Sequence, residues 1–250
     1  MGRITETVKI LIIINVIFYV GSLMTGEAAY RLLSMYYFEN PNFRVWQPIT
    51  HMFMHDSNSF MHILFNMFGL YMFGSPLEAM WGRNKFLFFY FSAGIGAALI
   101  HNLVGYIQIH DTMDALLSGG WSPADLESYL TTGKGGSQAV LEAVPMEKID
   151  AMFAAFHTPA VGASGAIYGI LVAFGLMYPN TELMLIFLPI PIKAKFFIPA
   201  LLLLDLFSGL TGFSLFGQNI ANWAHLGGAL FGFIMAYYWK KNSFDNTRLY

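Results

Sequence analysis

The sequence contains no cysteine and few charged residues. The missing cysteine excludes disulfide bonds and thiolate catalysis, and it gives no firm indication of a redox compartment. Charged residues make up 11% of the chain, whereas a soluble domain usually carries about 25%. The net charge of −2 offers no basic surface to a nucleic-acid partner. With 56% hydrophobic residues, the composition indicates a polytopic membrane protein whose surroundings are the lipid bilayer.

Long apolar runs divide the chain into candidate spans, and a helix needs about 20 apolar residues to cross a bilayer. Six runs occur, of which the first and fifth are short: 10–24, 60–81, 85–106, 160–178, 196–210 and 219–238. The apolar stretch 183–192 contains Pro189 and Pro191, which predict an interfacial turn before the fifth span. The sequence therefore predicts an all-α integral membrane protein, a six-helix bundle that forms a single domain over residues 1–250.

The distribution of basic residues supports this count and predicts the orientation. Six spans place both termini on one side, and the positive-inside rule assigns that side to the cytoplasm. Of the 13 basic residues, nine then fall inside and four outside. Inside are Arg3, Lys9, Arg83, Lys85, Lys193, Lys195, Lys240, Lys241 and Arg248; outside are Arg31, Arg44, Lys134 and Lys148. A cleaved signal peptide is the alternative for residues 10–24, but the charge count favours an uncleaved first span.

The segment 107–159 differs from the apolar runs because it carries seven acidic residues and several glycines. We predict that it is an extended extracytoplasmic loop between the third and fourth spans. Ser122 followed by Pro123 is typical of a helix start, and residues 138–156, interrupted at Pro145, form a candidate amphipathic segment. A loop of this length is usually functional or disordered. A solvated insertion with short surface helices is the simpler interpretation.

Four polar side chains fall near the predicted outer ends of apolar runs, where polar groups are costly and are therefore functional candidates. Ser164 is near the start of the fourth run, His225 is near the start of the sixth, and His62 and Asn66 are in the first turns of the second. At a rise of 1.5 Å per residue, all four lie roughly 3–10 Å below the outer ends of their predicted helices. Three helices thus bring polar groups to one level, which indicates a single site.

A serine and a histidine within hydrogen-bond distance are the minimum parts of an activated nucleophile. Ser164 stands between Gly162 and Gly165, which expose the backbone around its hydroxyl; a small residue at a helix contact is the alternative. His225 is followed by Gly228, which offers a smooth face to the fourth span. A histidine that only hydrogen-bonds between helices is the alternative here.

The residues around this pair suggest a supporting apparatus. His62 and Asn66 are four residues apart, so they face the same side of a helix. Such donors can hold a developing oxyanion together with the Ser164 backbone N–H, although an interhelical hydrogen-bonded pair is the alternative. Tyr168 lies one turn after Ser164, and we expect its ring to pack against His225.

Other ionisable residues have weaker patterns. His51 and His55 have the spacing of metal ligands and precede His62. The zinc-protease pattern H-E-x-x-H is absent from the sequence, so we expect hydrogen-bonding histidines, no metal and no cofactor. Asp205 lies toward the predicted outer end of the fifth run. It is a candidate proton-relay group; the alternative is a residue that reaches the membrane interface. No carboxylate partner for His225 is evident, so a serine–histidine dyad is predicted.

Taken together, these motifs resemble the rhomboid intramembrane serine proteases over nearly the whole chain except residues 107–159. The matching motifs are His62-Ile63-Leu64-Phe65-Asn66, Gly162-Ala163-Ser164-Gly165 with Tyr168, and Ala224-His225 with Gly228 and Gly232. The resemblance implies that Ser164 is the nucleophile and His225 the general base. It implies an oxyanion hole made of His62, Asn66 and the Ser164 amide. The supporting residues it implies are Tyr168, Gly162, Gly165 and Gly228. It also implies cleavage of single-span membrane proteins near the outer face of a bacterial inner membrane.

Two departures and two rival functions accompany the resemblance. Trp46 is followed by Gln47, where the family often has arginine, and His55 and His62 are more widely separated than in the usual pattern. A catalytically silent protein of the same fold, which binds client transmembrane helices, would most simply show a broken dyad, whereas both dyad residues are present. A transporter or channel would need a chain of ionisable groups, and the inner halves of the predicted spans contain only Glu78.

Overall fold

The computed structural model describes residues 3–185, 188–212 and 221–246, and most of them are helical. The helices are α1 (Glu6–Thr25), α2 (Glu27–Leu33), α3 (Gln47–Thr50), α4 (Phe60–Gly69), α5 (Ser75–Trp81), α6 (Arg83–Ser118), α7 (Pro123–Thr132), α8 (Gln138–Ala143), α9 (Met146–His157), α10 (Ser164–Met177), α11 (Ala194–Thr211) and α12 (Asn222–Asn246). A 3-10 turn (His51–Phe53) follows α3, and a π-helical turn (Leu70–Gly74) joins α4 to α5. The strands β1 (Glu182–Leu185) and β2 (Leu188–Lys193) form an antiparallel hairpin.

Four helical segments are long and apolar enough to cross a membrane: Glu6–Thr25, Phe60–Trp81, Arg83–Ser118 and Ala194–Thr211. The apolar helix α10 is shorter, with 14 residues, and α12 has 25 residues. Residues 219 and 220 of the sixth predicted span lie outside the described residues. Large apolar side chains cover the outer surface, with Ile17 61% and Leu203 64% exposed. Because such a surface is stable in lipid and not in water, the chain is a multi-pass integral membrane protein.

Glycines allow the backbones of α10 and α12 to touch. A Cβ atom added at Gly228 would lie 1.8 Å from the Gly165 carbonyl oxygen, and one added at Gly232 would lie 2.4 Å from the Gly169 Cα. The other side of Gly165 faces Ala97 of α6, whose Cβ would be 2.5 Å from an added Cβ. Small residues permit this approach, and van der Waals packing then holds membrane helices together. The contact fixes the N-terminal halves of α10 and α12 side by side.

Glu78 on α5 has a structural role at the start of α1. Its carboxylate accepts hydrogen bonds from the backbone N–H groups of Thr7 and Val8, both at 3.0 Å, and from the Thr5 hydroxyl. The first N–H groups of a helix have no partner within the helix, and a negative charge there is favourable. The one acidic group in the inner halves of the predicted spans therefore caps a helix.

The long loop forms its own small core. Helix α6 continues to Ser118, so the predicted end of the third span at residue 106 is wrong for the helix, which extends beyond the apolar run. Helices α7, α8 and α9 pack against this extension. The buried side chains of this second core are Tyr37, Ile109, Leu116, Trp121, Leu126, Leu130, Ile149 and Met152. The predicted start of α7 is confirmed, since Ser122 and Asp125 form a reciprocal capping box.

Two further boundaries differ from the sequence-based expectation. Helix α10 begins at Ser164 and not at residue 160, because Gly162 has φ +122°, a conformation that cannot belong to a right-handed helix. Within the stretch 183–192, predicted as an interfacial turn, residues 183–185 and 188–192 belong to the paired strands β1 and β2. Proline is compatible with the exposed edge of a two-stranded pair, where no N–H has to be donated.

Candidate active site

Ser164 lies at the first position of α10, directly after a sharp turn. The Gly162 N–H donates to the His51 carbonyl at 3.0 Å, and Ala160 exchanges two backbone hydrogen bonds with Met35. The loop between α1 and α4 therefore holds the turn in place. At a helix start the backbone N–H groups lack internal acceptors and carry partial positive charge. The Ser164 hydroxyl is thus presented beside free donors that favour a developing negative charge.

The His225 imidazole lies beside the Ser164 hydroxyl, in the fourth position of α12. Its Nε2 atom is 2.9 Å from Ser164 Oγ, which is hydrogen-bond distance. The Tyr168 ring stacks on the imidazole with centroids 4.1 Å apart and an interplanar angle of 10°. The Gly165–Gly228 contact sets the helix separation that makes the hydrogen bond possible. The structure thus brings together Ser164, His225 and Tyr168, as the sequence predicted.

A carboxylate lies on the other side of the imidazole. Asp205 Oδ1, from α11, is 3.3 Å from His225 Nδ1, and both side chains are buried, with 9% and 12% of their surfaces exposed. The prediction that His225 has no carboxylate partner is therefore wrong. The sequence contained a signal, because Asp205 is the one acidic residue within α11, but helix rotation and packing decide where its side chain points.

His62 lies beside the turn before Ser164. A Cβ atom added at Gly162 would lie 3.0 Å from His62 Nε2 and 3.5 Å from Ser164 Oγ, so the ring and the hydroxyl flank the same glycine. The Asp56 N–H donates to His62 Nδ1 at 3.4 Å. A neutral imidazole that accepts at Nδ1 carries its proton at Nε2. His62 therefore directs an N–H donor toward the Ser164 side of the turn.

Asn66 is buried one turn after His62, with 6% of its surface exposed. Its side-chain amide donates to the His62 carbonyl at 2.8 Å. An asparagine amide carries two N–H donors, so this bond occupies one and leaves the second for another acceptor. The structure thus puts His62 at the turn, while Asn66 is held against its own helix.

Two further histidines, His51 and His55, lie in the loop that precedes α4. His51 is buried with Nδ1 2.9 Å from the Gln47 carbonyl, and burial lowers the pKa of His51 to about 4. His55 lies edge-on to His62 with ring centroids 5.2 Å apart, and burial, followed by the neighbouring His62, lowers the pKa of His55 to about 4. Both are therefore neutral at pH 7. Within the described part of the chain, no three histidine or acidic side chains are grouped to hold a metal ion.

Gln47, which departs from the family pattern, is completely buried and ties the loop together. Its Nε2 donates to the Asn42 carbonyl at 2.9 Å and also contacts the Arg31 carbonyl at 3.3 Å, while its Oε1 accepts from the Tyr36 N–H at 3.3 Å. An uncharged amide therefore anchors this loop here without arginine.

Replacing Gln47 with alanine is expected to destabilise the protein by about 2–3 kcal/mol, because buried backbone groups lose their partners. Thermal unfolding in detergent should then show a midpoint lowered by about 4–12 °C. Gln138→Ala is the matched control, since the Gln138 amide bonds to Glu142 on an exposed surface, and its midpoint should stay near that of the wild type. Equal midpoints for the two variants would contradict the anchoring role of Gln47.

Comparisons with known proteins identify the family of the chain. The family model described as Rhomboid domain matches residues 42–124 and 127–242. The mitochondrial presenilin-associated rhomboid-like protein of Homo sapiens is 28% identical over 175 residues, which cover 70% of this chain and 33% of that protein. The rhomboid protease AarA of Providencia stuartii is 25% identical over 197 residues, which cover 76% of this chain and 54% of that protein. The chain thus spans between 33% and 54% of the length of these curated relatives.

Proposed function

Because the chain belongs to the rhomboid family, we propose that it is an intramembrane serine endopeptidase that cleaves transmembrane helices near the outer membrane face. The observation that carries the proposal is the 2.9 Å contact between His225 Nε2 and Ser164 Oγ at the start of a helix. A nucleophile hydrogen-bonded to a base is the arrangement that covalent acyl transfer requires.

The proposed reaction begins when Ser164 Oγ attacks the scissile carbonyl carbon and His225 Nε2 takes the hydroxyl proton. The tetrahedral oxyanion is held by His62 Nε2–H, the Ser164 backbone N–H and the free N–H of Asn66. Collapse of this intermediate breaks the C–N bond, and His225 returns the proton to the leaving amine. Water then attacks the acyl-enzyme with His225 again acting as base, which releases the carboxylate product and restores Ser164.

We propose that the substrate is a single-span membrane protein. A helix in lipid has its backbone groups paired internally, so its carbonyl becomes accessible only after local unwinding. Transmembrane segments that unwind easily near their outer ends should therefore be cleaved best. We also propose six spans, both termini in the cytoplasm, a bacterial inner membrane and no cofactor.

The proposal is tested with the wild-type protein reconstituted in lipid vesicles. We expect a fluorophosphonate probe to label one residue, identified as Ser164 by mass spectrometry of the digested protein. A reporter with one transmembrane helix should be cut near the outer end of that helix. A folded protein that takes no label and cuts no reporter would contradict the protease assignment. If that protein still captured the reporter helix, the result would favour a catalytically silent rhomboid-like protein.

A further inference from the structure

The carboxylate of Asp205 lies in line with the serine and the imidazole. Its Oδ1 atom is 3.3 Å from His225 Nδ1, while His225 Nε2 is 2.9 Å from Ser164 Oγ. Asp205 is 7% exposed, and within the described part of the chain its Oδ2 atom has no hydrogen-bond partner. The Tyr168 ring stacks on the same imidazole. A buried acid whose hydrogen bond is to the imidazole is therefore fixed behind the proposed base.

Such an acid in a membrane-embedded helix calls for an explanation, because a charge at this depth is costly and persists where it has a use. Helix α11 is also the least buried of the four candidate spans: 17% of the residues in its most apolar stretch are buried, against 28–39% in the other three. A purely structural explanation is that Asp205 fastens this loosely packed helix to α12. The alternative explanation is that Asp205 orients the His225 imidazole. The two explanations predict different effects of an Asp205 substitution on the reactivity of Ser164.

We infer that Asp205 is a positioning residue that extends the serine–histidine pair to a triad, an inference that rests on the proposed function. Its carboxylate accepts the Nδ1–H of His225, which leaves Nε2 unprotonated and directed at Ser164 Oγ. When the serine proton moves to Nε2, the carboxylate stabilises the imidazolium and stays ionised. In this first step the proton moves only from Ser164 to His225, and Asp205 takes up none. Because Asp205 belongs to α11, the position of that helix also determines whether the base is correctly oriented.

The decisive variant is Asp205→Asn, which keeps the size of the side chain and replaces one acceptor oxygen with an N–H donor. An amide that donates to Nδ1 favours the wrong tautomer, with the proton on Nε2. Loss of the acid from a soluble serine protease costs about 10,000-fold in kcat. The contact here is longer than the 2.7–2.9 Å typical of a charge-assisted bond, so we expect a smaller loss, of about 10- to 1000-fold. KM should stay within about twofold, since the lost interaction belongs to the transition state.

The measurements are kcat and KM for reporter cleavage, the rate of fluorophosphonate inactivation and the ¹⁵N chemical shifts of the His225 ring. Inactivation should slow in parallel with kcat, and the shifts should report loss of the Nδ1–H tautomer. Asp205→Ala should regain part of its activity when formate is added, because formate supplies the missing carboxylate. Asp111→Asn is the matched control, since Asp111 pairs with Lys148 on the exposed surface, and it should behave as the wild type.

The outcomes separate this inference from the proposed function. A wild type that cannot be labelled and does not cleave removes the protease assignment, and the ¹⁵N shifts of Asp205→Asn still test the hydrogen bond in that case. An Asp205→Asn variant with wild-type kcat, inactivation rate and tautomer overturns the inference and leaves the protease assignment intact. The inference is also overturned by an Asp205→Ala variant that loses activity and thermal stability together, keeps the Nδ1–H tautomer of His225 and regains no activity with formate. This result too leaves the protease assignment intact.

Discussion

Replacing Ser164 with alanine should abolish fluorophosphonate labelling and reduce reporter cleavage by roughly 10,000-fold or more. The physical reason is that, in the proposed reaction, the Ser164 oxygen 2.9 Å from His225 Nε2 is the atom that forms the acyl bond. Replacing His225 with alanine should cause a loss of the same order, because a serine without a base remains protonated and is a poor nucleophile. The measurement is kcat for reporter cleavage, with in-gel detection of the probe.

The double variant Ser164→Ala/His225→Ala sharpens this test. Residues that act as one unit give non-additive losses, so the double variant should be no less active than either single variant. Ser118→Ala and His110→Ala are matched controls, since Ser118 is exposed and His110 lies beside Glu39, away from the site. Both should keep wild-type labelling and cleavage. A Ser164→Ala variant that still cleaves the reporter would show that another group performs the reaction.

Replacing Gly228 with alanine should destabilise the bundle by more than about 4 kcal/mol, which is an exceptional effect for one methyl group. The added Cβ would lie 1.8 Å from the Gly165 carbonyl oxygen. This is a backbone atom at a helix crossing, so no side-chain rotation can relieve the overlap. Helices α10 and α12 would have to separate, and the His225–Ser164 hydrogen bond would break with them. We expect the thermal midpoint in detergent to fall by about 8 °C or more and labelling of Ser164 to be lost.

Gly21→Ala in α1 is the matched control for this prediction. A Cβ atom added at Gly21 has no atom within 4 Å, and alanine favours a helix interior over glycine by about 1 kcal/mol. This variant should therefore be as stable as the wild type or more so, with unchanged labelling. If Gly228→Ala kept the wild-type midpoint and label, direct backbone contact between α10 and α12 would be contradicted.

Local patterns in the sequence predicted the features that depend on neighbouring residues. The helix start at Ser122 is one example, because the hydrogen bonds that cap it join residues only three positions apart. The membrane character and the family are two further examples, because the apolar runs and the motifs around His62, Ser164 and His225 are local features of the sequence. The family comparison confirms the resemblance. The start of α10 was placed too early because hydropathy does not report the left-handed backbone at Gly162.

By itself the sequence determined that the chain is a membrane protein, and it determined which polar residue types lie near the N-terminal ends of its apolar helices. Only the tertiary structure decided that Asp205 reaches His225 and that Gln47 anchors a loop through three backbone groups, those of Arg31, Tyr36 and Asn42. The reason is that each contact joins helices or loops whose relative rotation is fixed by packing over the whole bundle. A sequence pattern shows which residues share a face of one helix, but it does not show how two helices are oriented relative to each other.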